Sequence, residues 1–146
     1  MRLDLGGGVK LEILFPDRDV SAWATNDGSV VAKLSYGNFS ATLTGDATKE
    51  TEKIILSEFS PATLHSRILK VGHHGSRGST SSRFLQAVSP AQAFISVGQN
   101  NRYSHPHPEV LNLLSQFGAK IYRTDRDGTV VVKCPKDNYC KISSQK

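Results

Sequence analysis

Three short stretches of this chain put metal-ligand residue types just past apolar runs that read as β-strands: Thr44-Gly45-Asp46, Val71-Gly72-His73-His74-Gly75-Ser76, and Ser104-His105-Pro106-His107-Pro108. Carboxylate and imidazole are common ligands of divalent metals such as zinc. In an α/β layer fold, ligands collect at the carboxyl ends of parallel strands. The spacing therefore predicts one site assembled from three places.

Each residue has a second reading. Asp46 could ligate a metal, or cap a helix starting beside it; capping is the commoner role for a lone Asp, and the two are compatible. Neighbouring side chains on an extended strand end point to opposite sides. One of His73 and His74 is therefore expected to face the site, and which one is open. Gly72 and Gly75 let the backbone bend closely. Ser76, Ser79, Thr80, Ser81 and Ser82 supply hydroxyls and free N–H groups ahead of a helix, a place suited to phosphate. His105 is a stronger candidate than His107, which sits as the neighbour of a helix opening at Pro108. Asn100, Asn101, Arg102 and Tyr103 could hydrogen-bond a phosphodiester or a base, and His65 reads as a surface residue.

The candidate metal ligands are Asp46, His74 and His105, with His73 the open alternative to His74; Asp46, His73 and His74 are the candidate catalytic groups. Ser76, Arg77, Asn101 and Arg102 are the candidate substrate contacts. Three ligands suffice for one metal that keeps a position open for water, and are too few for a two-metal site. No Ser-His-Asp order, P-loop or dinucleotide fingerprint competes.

Composition sets the bounds. The 146 residues make one domain, read as soluble and globular, with no apolar run near the ~20 residues that span a bilayer. The opening residues lack the apolar core of a signal peptide. A net charge of +5 favours polyanionic partners, with solubility charge as the plain alternative. Lys70, Arg77, Arg83 and Arg102 lie near the motifs and favour a phosphate-bearing substrate. Cys134 and Cys140 lack the neighbours of a zinc site. They read as a short disulfide, implying an oxidising compartment, or as two free thiols.

The elements that must position these groups follow from periodicity. Val9, Leu11 and Ile13 alternate as a strand stopped by Pro16. Trp23 reads as a packing anchor. Residues 29–35 and 38–44 form a hairpin turning at Tyr36-Gly37, with Phe39, Ala41 and Leu43 on one face. A helix spans 47–59 and Pro61 ends it. Residues 68–71 are a buried strand, and Ser81 caps a helix bearing Phe84, Leu85 and Val88. Residues 92–97 are a strand; Pro108 opens a helix with Val110, Leu113, Leu114 and Phe117 as its stripe, stopped at Gly118. Residues 119–123 and 129–134 close the chain as a strand pair, and the tail from Lys141 is expected to be loose. The fold class is α/β with a mixed sheet.

These residues resemble a known family. SVVAKLSYGNFSATLTGDATKETEKIIL, then ILKVGHHGSRGSTSSRFLQAVSPAQAFISVGQNNRYSHPHPEVLNLL, then AKIYRTDRDGTVVV, are similar to the metallo-β-lactamase-like domain at the C-terminal end of the ComEC competence proteins, over roughly residues 9–133. Those are membrane channels that admit single-stranded DNA during transformation. The resemblance implies an αββα layer fold, a zinc or manganese site and phosphodiester hydrolysis. On it, Asp46 matches the metal-bridging Asp, His73 and His74 the HHGS pair, and His105 the His of the GHP segment. It also implies an extracytoplasmic location, single-stranded DNA and a membrane channel as partners, and a disulfide in keeping with that location. The H-x-H-x-D-H signature of such domains is absent. The chain therefore reads as the C-terminal half of the domain, residues 1–146, with weak metal binding and little or no activity alone. A missing N-terminal half would cover its sheet, and homodimerisation is the substitute. The alternatives are another metallo-β-lactamase-like hydrolase, of lactonase or phosphocholine esterase type, and a non-catalytic nucleic-acid-binding module.

Overall fold

A computed structural model describes residues 1–135 and 140–145. Seven strands form one sheet in sequence order: β1 Arg2–Asp4, β2 Val9–Phe15, β3 Val31–Tyr36, β4 Phe39–Leu43, β5 Ile68–Lys70, β6 Gln92–Ile95 and β7 Lys120–Arg123. The first four run antiparallel, and β4 to β7 run parallel. The parallel half needs crossovers, and helices supply them. They are α1 Lys49–Glu58, the single turn α2 Pro61–Leu64, α3 Ser82–Val88 and α4 Pro108–Gln116. A turn of helix, α5 Thr124–Asp127, leads to the hairpin of β8 Thr129–Lys133 and β9 Lys141–Gln145.

The helices share one core with one face of the sheet. Ile55, Phe84, Leu85, Val88, Val110 and Leu114 pack with Leu14, Val31, Leu69, Val71 and Ala93. Ser81 caps α3 as its spacing predicts, accepting from the Phe84 N–H. The stripe of α4 is shorter than expected, since Val110 and Leu114 are buried while Phe117 is exposed. Pro61 does not simply stop α1: it opens α2, whose N-cap is Ser60. Trp23 packs on Phe15 with ring centroids 5.8 Å apart and stays partly exposed.

The opposite sheet face carries the alternation read from the sequence. Register places Val9, Leu11 and Ile13 beside Tyr36, Leu34 and Ala32, and Leu34 beside Ala41. Ala41, Ile68, Gln92 and Lys120 continue the same row. Among the described residues, no helix covers this face. Val130 and Val132 of β8 lie over part of it, enclosing a cavity of about 340 Å³ with Phe39, Ala41, Leu43, Phe94 and Tyr122.

Two expectations at the C-terminus are corrected. Residues 119–123 and 129–134 do not pair with each other: β7 joins the large sheet beside β6, and β8 pairs with β9. The tail from Lys141 is that partner strand, because β8 needs a neighbour for its backbone groups once it has left the large sheet. Cys134 and Cys140 are bonded to each other across this hairpin.

Candidate active site at the ends of β4, β5 and β6

The three motifs lie together at the carboxyl ends of the parallel strands, tied by main-chain bonds. His73 N–H donates to the Gly45 carbonyl at 3.1 Å, and His107 N–H to the Gly75 carbonyl at 2.9 Å. Thr44 Oγ1 donates to the Lys70 carbonyl at 2.7 Å. Gly75 adopts φ +83°, and a Cβ there would meet Pro106 Cβ at 2.5 Å. That contact seats the His73–His74 turn on the His105–His107 segment, and only glycine fits it.

His73 and His74 do not continue the strand. Both are left-handed, at φ 46° and φ 57°, within a tight turn spanning Gly72–Gly75. The expectation that they point to opposite sides assumed extended backbone; in this turn both rings border the site, with centroids 6.3 Å apart. Left-handed non-glycine residues cost of order 1–3 kcal/mol each and gather at functional sites.

His74 and Asp46 form the central pair. His74 Nδ1 is 2.7 Å from the Ser96 carbonyl oxygen and Nε2 is 3.7 Å from Asp46 Oδ1. The carbonyl requires a proton on Nδ1, so Nε2 is the ring nitrogen that faces the carboxylate. A separation of 3.7 Å is long for a hydrogen bond. Two atoms each ~2.1 Å from one tetrahedral metal lie roughly 3.4 Å apart, so the 3.7 Å separation is slightly longer than two ligands of one metal would have. Asp46 does not cap α1, because Thr48 is the N-cap residue.

His105 stands one ring further away. Its centroid is 5.6 Å from that of His73 and 5.0 Å from that of His107. Burial lowers the His105 pKa, helped by the neighbouring His107, His73 and His74 rings and opposed by Asp46. Among the described residues, no three or more His, Cys, Asp or Glu side chains group so as to hold a metal ion. The chain thus brings Asp46 and His74 together without closing a three-ligand cage with His105.

The substrate contacts look different from their sequence reading. The N–H groups before α3 are not free. Ser76 Oγ accepts from Gly78 N–H at 3.2 Å, and Glu52 accepts from Thr80 N–H at 2.5 Å and Ser81 N–H at 2.8 Å. Glu52 is buried, and desolvation raises its pKa against those hydrogen bonds. Its position inside a polar helical run hid this role. Asn101 spends both amide N–H bonds on the Gly98 and His105 carbonyls and accepts from His105 N–H at 2.9 Å, so it staples the loop that carries His105. Arg77 is exposed, with Nη2 3.4 Å from His107 Nδ1. Arg102 is exposed and lies on Tyr103. Lys70 is partly buried beside the site; burial lowers its pKa and Asp46 opposes the shift. His65 is exposed, as read. Nothing in the sequence signals the Ser96 carbonyl, because any residue could supply it.

Fold and site together define an α/β layer protein with an open carboxylate–imidazole pair at the ends of its parallel strands. Its relatives narrow this further. The chain is 41% identical over 122 residues to ComE operon protein 3 of Bacillus subtilis, a match covering 84% of the chain and 15% of that protein. It is 36% identical over 123 residues to competence protein ComA of Neisseria gonorrhoeae, covering 84% of the chain and 18% of the relative. It is 35% identical over 130 residues to recombination protein 2 of Haemophilus influenzae, covering 89% of the chain and 16% of the relative. These names support a competence-related family, and the chain spans less than a fifth of each relative. No protein-family model matches the chain. Among the described residues, no helix is long and apolar enough to cross a membrane.

Proposed function

We propose that the chain is the C-terminal part of a metallo-β-lactamase-like nuclease domain that hydrolyses DNA phosphodiesters during uptake in natural transformation. The observation that carries this reading is the Asp46–His74 pair, with Nε2 turned to the carboxylate by the Ser96 carbonyl. Zinc or manganese would be held there, with His105 as the third ligand proposed from this chain and the remaining ligands supplied by polypeptide outside it. The metal's role would be to activate water and draw charge from the phosphate oxygens. His73 would border the reacting phosphate. Lys70, Arg77 and Arg102 would offset its charge, with Ser76 and Asn101 at the rim.

The sheet face that no described helix covers supports the second half of the reading. An apolar sheet face wants a second layer, and an N-terminal half of an αββα domain would supply it. The domain would stand on the extracytoplasmic side of the membrane, beside the channel of the parent protein, where the Cys134–Cys140 bond is stable. Single-stranded DNA is the proposed substrate.

The test compares this chain with one extended upstream, measuring bound metal and manganese-dependent cleavage of single-stranded DNA. The extended protein is expected to bind stoichiometric metal and cut, the short chain to do neither, and Asp46→Ala to abolish both. An extended protein that neither binds metal nor cuts would overturn the proposal.

A further inference from the structure

We infer that Tyr103 is a stacking platform for one unpaired nucleobase, held in the small cavity between Tyr103, His105 and His74. The inference rests on the phosphodiester reading with its single-stranded substrate and assigns a particular side chain to the recognition of the unpaired base. Tyr103 is 59% exposed, more than any other described Phe, Tyr or Trp side chain. An aromatic ring left in water at the rim of a site is available to a planar partner.

The ring is already ordered. It lies 5.7 Å from the His105 ring at an interplanar angle of 28°. Arg102 donates to Tyr103 Oη at 2.7 Å, and its guanidinium carbon sits 4.9 Å from the ring centroid. The loop beneath is stapled by the three Asn101 hydrogen bonds. A ligand therefore spends little affinity on ordering the loop, and its cost is the rearrangement of Arg102.

The adjoining cavity is about 210 Å³ and is lined by His74, Val97, Gly98, Asn101, Tyr103 and His105. That is below the usual volume of a drug-sized pocket and suits a single flat ring system. A planar cation already seated on the ring shows the kind of group the surface accepts. A base can replace or extend that stack while Arg102 turns to the adjoining phosphate. In a duplex both faces of each base are covered, so only an unpaired base can enter.

The test is fluorescence anisotropy of a short labelled single strand, the same strand in duplex, and the same strand with abasic sites, all at one salt concentration because phosphate contacts are salt-dependent. The expected order has the intact single strand binding most tightly. Tyr103→Ala should weaken it about 5- to 150-fold, the range that stacking of one base spans. The same change should leave the abasic strand unaffected, and Tyr103→Phe should retain most of the binding. Because Tyr103 is exposed, the variants should fold, which circular dichroism checks. Equal binding of intact and abasic strands, or no loss in Tyr103→Ala, would overturn the stacking role and leave the phosphodiester reading standing. No binding of either strand at low salt would count against both.

Discussion

His105 shows how one residue's surroundings translate into pH dependence. Its pKa lies below the ordinary 6.5 because burial and three neighbouring imidazoles disfavour the cation. A base whose folded pKa is depressed binds fewer protons in the fold than in the unfolded chain, between the two pKa values. Stability is therefore expected to be level above about pH 6.5 and to fall as pH drops below it. His105→Asn should flatten that acid limb, as read from denaturant midpoints across pH 5 to 8. An unchanged slope in the variant would assign the limb to other groups. Residue types were legible here: Asp46, His73, His74 and His105 announce themselves by chemistry. Their orientations were not, since the His73–His74 turn depends on left-handed backbone that nothing local demands.

At the scale of elements, the site is a junction of loops rather than a feature of any one of them. The link with least tolerance is Gly75 against Pro106, where an added Cβ would sit 2.5 Å from the proline Cβ at a backbone φ of +83°. Gly75→Ala combines a steric clash with a conformation that alanine resists, and is expected to cost about 2 kcal/mol or more. It should also separate His73 from His105. Thermal unfolding measures the cost, and the imidazole cross-peaks of the two residues report the separation. A stable variant with unshifted cross-peaks would show that the loops are held elsewhere. The strands and helices around this junction follow the sequence periodicity closely, apart from the C-terminal pairing. That error arose because local pattern shows that a strand exists but not which strand it pairs with.

For the whole molecule, the deciding feature is the sheet face without helices. Val9, Leu11, Leu34 and Phe39 share this apolar surface, and Leu34, Tyr36 and Phe39 line a cavity of about 410 Å³ with Val132. A surface of this kind favours association. The chain alone is expected to self-associate with rising concentration in sedimentation experiments. Leu34→Lys should return it to a monomer, and so should the upstream extension. A monomer at high concentration would mean that the β8–β9 hairpin already covers the face well enough.

The sequence by itself determined the α/β class, most element positions, the helix stop at Gly118 and the residue types of the candidate site. Periodicity, turn chemistry and donor chemistry are local properties of the chain. Only the tertiary structure decided that Asp46 meets His74 rather than capping α1. It alone decided that Glu52 occupies the N–H groups before α3, and that the alternating strands turn their apolar side away from the helices. Each of these depends on contacts between segments distant in the chain, and a burial pattern states that a face is apolar without stating what lies against it.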